Sequence, residues 1–294
     1  MIRYRFRAQH SNVQHLWIED AYDMASTLLN GLISAPKALK TLVFQNSYIP
    51  DDANMVFESA AKYHANTLES LVLYESHNLR ASDGAIYLPT VLKPFKQLRH
   101  VTVDVDDILL EAAQVYGRTR SESTTYGCDH ASVVRYFTET APFPASLEAI
   151  VFQSYSMIKQ GEAHAIDDGI AALIRSRFCP RLKAVYLVAV GRCQVGRMSE
   201  YNETAKAWFQ NAVRAGKEQG IDVHTRSNRA QWRHQIDFPQ RADWGEQGPY
   251  NGSEASHDSL EFNPYTGRWV REVLPGHTMG RDSSPVALGI SARV

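Results

Sequence analysis

Residues 66–74 read Asn66-Thr67-Leu68-Glu69-Ser70-Leu71-Val72-Leu73-Tyr74. Three leucines stand at i, i+3 and i+5, and the last two, Leu71 and Leu73, fall on one face of a strand because strand side chains alternate with a period of two. The same spacing recurs on both sides of this stretch. Upstream it is Val13, Leu16, Ile18 and then Leu39, Leu42, Phe44; downstream it is Leu98, Val101, Val103, then Leu147, Ile150, Phe152, then Leu182, Val185, Leu187. Successive copies start 26, 29, 30, 49 and 35 residues apart, and the first three intervals sit at or just above the roughly 20–29 residues of a leucine-rich repeat.

The segments between copies carry helical periodicity. Ala21, Met24, Ala25, Leu28, Leu29 and Leu32 share a helix face, and Ala53 to Tyr63 forms another helix with Val56, Phe57, Ala60 and Ala61 inward. Asp107 to Val115 is a further helix, with Asp106 or Asp107 as its cap. Asp167 or Asp168 can cap a helix bearing Ile170, Leu173, Ile174 and Phe178. A last helix follows Ser199, with Trp208, Phe209, Ala212 and Val213 on its stripe and Gly220 at its end; Ile221 and Val223 then alternate as a seventh strand. Strands that each return through a helix pair in parallel. The fold expected is therefore α/β: a right-handed, leucine-rich-repeat-like solenoid of about seven parallel strands, each backed by a helix, over residues 1–225.

Two regions interrupt this rhythm. Gly117 to His130 is polar and nearly free of aliphatic residues, which predicts a surface insertion near 117–130. Residues 226–294 lose the repeat but hold Trp232, Phe238, Trp244, Tyr250, Phe262, Tyr265 and Trp269, so this irregular C-terminal extension is expected to pack in part, with a frayed end beyond about Pro275. At the other terminus Ile2, Tyr4 and Phe6 alternate with Arg3, Arg5 and Arg7, the period of an edge strand rather than of an amphipathic presequence.

If the second and third apolar residues of each copy enter the core, the positions between and beside them line the concave sheet face in three rows. The first row is His15, Thr41, Ser70, His100, Ala149 and Ala184; the third is Glu19, Gln45, Tyr74, Asp104, Gln153 and Val188. The middle row is Trp17, Val43, Val72, Thr102, Val151 and Tyr186, apolar at five of six positions where a solvated sheet face alternates to polar. Such a stripe is a partner site or a surface that the chain itself covers. The expected contact residues for a protein partner are Trp17, Val43, Val72, Tyr74, Thr102, Asp104, Val151 and Tyr186.

Composition narrows the class. The 294 residues are 44 % apolar and 21 % charged, and 31 Lys and Arg nearly balance 32 Asp and Glu. No basic excess points to nucleic acid, no apolar run approaches a membrane span, and three scattered Cys with no apolar leader suit an intracellular protein, cytoplasmic or nuclear. No cofactor, catalytic residue or metal ligand is expected. Cys128-Asp129-His130 sets a thiol near an imidazole, but a nucleophile needs its base held within hydrogen-bond reach by a third group. Asp104, Asp106 and Asp107 could attract a cation, although helix capping explains them more simply. A hydrolase-like or metal-assisted enzyme built around Cys128–His130 or Asp104–Asp107 is the alternative function. Gly191-Arg192-Cys193-Gln194-Val195-Gly196 lacks both a phosphate-loop lysine and a dinucleotide fingerprint.

The six copies, with their long spacers and phrases such as Leu68-Glu69-Ser70-Leu71-Val72-Leu73 and Phe95-Lys96-Gln97-Leu98-Arg99-His100-Val101, resemble the divergent leucine-rich-repeat region of fungal F-box proteins, over roughly residues 13–225. The resemblance implies a substrate receptor of a cullin-type ubiquitin ligase, in which the F-box binds a Skp1-like adaptor and the repeats bind the target. The repeats begin at Val13, where that family carries its N-terminal F-box, so ligase components are expected as partners only if an F-box is supplied elsewhere.

Overall fold

A computed structural model describes residues 6–19, 24–45, 53–74, 86–117, 128–154, 160–188, 208–226, 260–263 and 268–271. Each apolar triplet leads into a five-residue strand: β1 (His15–Glu19), β2 (Thr41–Gln45), β3 (Ser70–Tyr74), β4 (His100–Asp104), β5 (Ala149–Gln153) and β6 (Ala184–Val188). The seventh strand, β7 (Asp222–Arg226), holds Val223, with Ile221 just ahead of it. All seven form one sheet in chain order, and every pair is parallel.

One backbone arrangement repeats at the entry to the strands. The Gln14 carbonyl accepts the N–H groups of Lys40 and Thr41, and Lys40 accepts those of Glu69 and Ser70. Glu69 serves Arg99 and His100, Arg99 serves Glu148 and Ala149, and Glu148 serves Lys183 and Ala184. The same paired bond at successive steps holds the sheet in one register, so equivalent positions of the repeat stand side by side across it.

Six helices among the described residues accompany the sheet: α1 (Ser26–Ser34), α2 (Ala53–His64), α3 (Val105–Tyr116), α4 (His130–Arg135), α5 (Gln160–Ser176) and α6 (Gln210–Gln219). Their apolar residues join a single buried cluster with the inward strand positions. Leu29, Ile33, Val56, Phe57, Ile108, Ile170, Ile174 and Ala212 pack there with Leu42, Phe44, Leu71, Leu73, Val101, Val103, Ile150, Phe152, Val185 and Leu187. A second buried cluster, Val43, Val72, Ala149, Val151, Ala184 and Tyr186, draws on strand residues alone. The helices therefore share one face of the sheet.

The expectation of a helix behind every strand needs correction between β3 and β4. There the described connection holds only a 3₁₀ turn, Pro89–Leu92, and polar bonds from α3 hold it in place. The Asp107 carboxylate accepts the N–H groups of Ile86 at 3.0 Å and Tyr87 at 3.2 Å, while Glu111 accepts the hydroxyls of Thr90 and Tyr136.

The caps also differ from expectation. Asp104, not Asp106 or Asp107, caps α3 by accepting the Asp106 N–H at 3.0 Å. Asp167 lies inside α5, yet it is still a cap: its carboxylate accepts the N–H groups of Asn211 at 3.1 Å and Ala212 at 2.7 Å and so closes the first turn of α6. Phe178, expected inward, falls beyond α5 and is 43 % exposed. Gly220 ends α6 at φ +70°, where only glycine is unstrained.

The wide 49-residue interval contains more helix than expected. Gly117 closes α3, Asp129 starts α4 by accepting the Ser132 N–H at 2.7 Å, and a π turn over Tyr136–Thr140 follows; residues 118–127 of the expected insertion lie outside the described residues. So do residues 1–5 of the expected edge strand. Phe6 and Arg7 lie in no strand, and the Phe6 ring sits on α1, where a Cβ on Gly31 would meet it at 2.7 Å. Within 226–294 the described part is a short antiparallel pair, β8 (Leu260–Asn263) with β9 (Arg268–Arg271). No described helix is long and apolar enough to cross a membrane.

Candidate recognition face

Straight register turns the three rows read from the sequence into physical rows. In the middle one, Trp17 pairs with Val43 and Val43 with Val72. Thr102 pairs with Val151, Val151 with Tyr186, and Tyr186 with His224. Val72 and Thr102 each lie two residues beyond the pair Ser70 and His100. His224 was not anticipated as a seventh member. The signal for it was Val223: once that residue enters the core, its neighbour falls on the opposite face. The His224 ring stacks on Tyr186 with centroids 5.0 Å apart and planes 18° from parallel, so Tyr186 is not the end of the row.

The row is not open to solvent. Val43, Val72, Thr102, Val151 and Tyr186 are 0 % exposed and His224 3 %; Trp17, at the β1 end, is half-buried. An exposed apolar stripe is therefore corrected to a covered one, the other outcome that its composition allowed. No described helix accounts for the cover, because all of those described pack on the other face.

Polar groups flank the stripe. In the first row His15 Nδ1 and Thr41 Oγ1 lie 3.0 Å apart, and Ser70 Oγ and His100 Nδ1 2.9 Å apart. Burial, reinforced by the Arg99 charge next to it, pushes the His100 imidazole down to about 4, so it is neutral at physiological pH. In the third row Asp104 and Gln153 pair across β4 and β5 and both are buried, while Gln45 is half-buried. The side chains of Glu19, Tyr74 and Val188 lie outside the described residues. The Thr102 hydroxyl and both ends of the Gln153 carboxamide are buried without a hydrogen-bond partner among the described residues. Each such group costs about 1–3 kcal/mol relative to a satisfied one.

Below the rows, at the strand entries, charges alternate along the sheet: Lys40, Glu69, Arg99, Glu148, Lys183. Glu148 is the tightest point, receiving Arg99 Nε at 2.9 Å and Lys183 Nζ at 2.7 Å. Burial opposes its ionisation, but those two donors outweigh burial and bring its carboxyl to about 2.

Among the described residues, neither enzyme candidate pairs a nucleophile with a base or gathers a metal-holding cluster. Cys128 is buried, its thiol donates weakly to the Asp129 carbonyl at 3.7 Å, and burial together with the Asp129 and Glu162 charges raises it to about 11. His130 turns away to Asp168, with Nε2 and Oδ2 2.6 Å apart at the surface. Asp104 and Asp107 are bound to backbone N–H groups as helix and turn caps. No group of three or more His, Cys, Asp or Glu capable of holding a metal occurs among the described residues. Comparison with protein-family models, curated proteins and solved structures finds no match for the chain.

Proposed function

We propose that this chain is a non-enzymatic protein-recognition module, a right-handed leucine-rich-repeat-type solenoid that binds a segment of a partner protein on its helix-free sheet face. One observation carries the reading: a largely apolar buried row, interrupted by Thr102 and His224, that runs across seven parallel strands on the face from which every described helix is absent. Right-handed winding follows from the strong preference of parallel crossovers. Thr102 and Gln153 supply selectivity at the centre of the face. A carboxamide offers a donor and an acceptor side by side, which an amide of an extended partner segment satisfies together. The resemblance to fungal F-box repeat regions extends the proposal to a receptor for ubiquitin-ligase substrates, with the F-box contributed from elsewhere.

Affinity capture from cell extract with the full chain tests the proposal, run with and without a Skp1-like adaptor. Trp17→Ala and Gln153→Ala should each lose the captured protein at least tenfold while circular dichroism stays unchanged, and Cys128→Ser should capture normally. Undiminished capture by folded Trp17→Ala and Gln153→Ala would move the site off this face. Dependence on Cys128 would instead favour the enzyme reading.

A further inference from the structure

The charges of this chain balance in number but not in space. In a parallel sheet with returning helices, strand entries and helix ends share one edge. The described connections into β2 to β6, residues 35–40, 65–69, 93–99, 141–148 and 177–183, hold eight Lys and Arg against two acids, Glu69 and Glu148. The helices start at the opposite edge, and the first turns of those described contain no Lys or Arg. We propose that the basic edge docks on a membrane surface carrying anionic lipids, with the Phe178 ring entering the headgroup layer. The edge is not the sheet face proposed for a protein partner, and neither use requires the other.

Bonds between neighbouring connections gather these cations into one band. The Ser11 carbonyl accepts the Lys37 N–H and the Ala65 carbonyl the Lys96 N–H, each at 2.8 Å. Arg177 Nη2 donates to Gln219 Oε1 at 2.8 Å and ties the turn before β6 to the last residue of α6. From β2 to β6 the band covers four strand spacings, about 19 Å. Across it, cations stand at the strand entries, as Lys40 and Arg99, and at helix ends, as Lys62 and Lys217, so its width is that of a helix, about 10 Å. A patch with two dimensions matches a plane of phosphates better than a single line of them.

Helix dipoles and ion pairs account for only part of the band. A dipole favours cations in a last turn, which covers Lys62 and Lys217, and Arg175, which also meets Glu218 at 3.1 Å. Pairing covers the inner members, since Glu69 faces Lys40 and Glu148 takes Arg99 and Lys183. Neither applies to Lys93, Lys96 and Arg181, which are exposed and make no hydrogen bond or ion pair with the described residues. Lys37 bonds only a neutral acceptor, Asn12 Oδ1, and Arg177 only Gln219, so their charges are uncompensated as well. Between Arg177 and Arg181 stands Phe178, 43 % exposed. A ring held in water among cations gains by entering the interfacial layer of a bilayer, where aromatic side chains concentrate and anionic headgroups attract the flanking charges.

Co-sedimentation of the full chain with vesicles tests the proposal. The chain should bind phosphatidylcholine vesicles containing about a third phosphatidylserine, should not bind pure phosphatidylcholine, and should release steeply as salt rises. Lys93→Gln, Lys96→Gln and Arg181→Gln together should lower the partition coefficient about a hundredfold, about fivefold for each charge, with the melting temperature unchanged. Phe178→Ala should lower it several-fold and leave the salt dependence as it was. Oligothymidylate and polyglutamate should compete only weakly. Absence of binding to the phosphatidylserine vesicles at low salt would overturn the inference, as would wild-type binding insensitive to salt or full binding by the folded triple variant. Full binding by Phe178→Ala would also overturn it, because the ring is what distinguishes a bilayer from other polyanions. Tighter binding to oligothymidylate would assign the edge to nucleic acid, and tighter binding to polyglutamate to an acidic protein; either would replace the membrane.

Discussion

The two faces of this sheet are made from the same strands, residue by residue in alternation, yet they are buried by different means. On one, Leu71, Val103 and Phe152 interlock with helices that leave the same strands and return to them. On the other, Val72, Val151 and Tyr186 are equally inaccessible, but their cluster contains no helical residue. Equal burial need not mean equal stability. A layer made by the crossover helices comes off only when the fold itself unravels, whereas a layer that no described helix supplies can leave while the sheet stays intact.

The largest effect expected lies on the helical face. Phe152→Ala should cost about 3–5 kcal/mol through lost transfer energy and an unfilled cavity, because Phe152 packs against Phe137 and Phe143 with ring centroids 6.1 Å away from each. A sharper contrast comes from a matched pair, Val103→Ala and Val151→Ala, one on each face and both 0 % exposed. Val103→Ala should lower stability in chemical denaturation by about 1.5–2 kcal/mol, near the transfer value of two methylene groups; Val151→Ala should cost clearly less if the cover detaches before global unfolding. Equal losses would show that both layers melt as one unit, and the distinction between the faces would fail.

Second in size is a dependence on acidity at the first row. His100 titrates at about 4 in the folded chain, below its ordinary 6.5. Between those values the unfolded chain binds the proton and the folded one does not. Stability is therefore full above pH 6.5 and declines as the pH falls towards 4, by about 3 kcal/mol in all. His64 adds to the same trend, since burial lowers it too: its Nε2–H donates to the Ile33 carbonyl at 2.6 Å and Nδ1 accepts the Leu39 N–H at 3.4 Å. Denaturation of wild type and His100→Asn at several pH values measures the His100 share; parallel curves between pH 6.5 and 4 would remove it. Glu148, at about 2, acts in a lower window, stabilising above its ordinary 4.5 and losing that contribution as pH falls to 2.

Removal of Glu148 comes next. Glu148→Ala leaves Arg99 and Lys183 facing each other without the carboxylate that both contact, and should cost about 1–3 kcal/mol. Asp167→Ala should follow at about 1 kcal/mol, the usual worth of an N-cap. Its loss should appear as earlier hydrogen exchange in α6, while β2 and β3 remain as protected as before.

How much of this was legible in the sequence depended on whether the signal was periodic. The triplets Leu39–Leu42–Phe44 and Leu68–Leu71–Leu73 repeat with an alternation that strands impose, so the strands, their parallel order and the three rows could be written down residue by residue. Capping is a matter of where a side chain reaches, and spacing along the chain is silent about that. Asp167 sits in α5 and serves α6; Asp107 sits in α3 and holds Ile86. The 3₁₀ turn at Pro89–Leu92 was missed for the same reason, since its anchors Asp107 and Glu111 lie beyond the next strand. The row of the candidate site was visible in full up to Tyr186, but its cover was not. An apolar position looks the same in a sequence whether a helix, a partner or a distant part of the chain closes it.

The smallest effect expected separates the two ends of the alternating charge line. Lys40 Nζ and Glu69 Oε1 stand 3.8 Å apart, and both side chains are more than a third exposed. Water screens such a pair, and holding two long side chains together costs rotamer freedom, so Lys40→Ala should change stability by less than about 0.5 kcal/mol. Lys183 at the other end meets the same kind of partner, but its carboxylate is only 11 % exposed and is shared with Arg99. Lys183→Ala should therefore cost more than Lys40→Ala, and that loss should nearly vanish in a Glu148→Gln background while the small Lys40 effect persists. A double-mutant cycle in low and high salt measures both. If Lys40→Ala instead cost as much as Lys183→Ala and depended on Glu148, the five charges at the strand entries would behave as one coupled ladder, and the entry edge would contribute to the register that the backbone bonds impose.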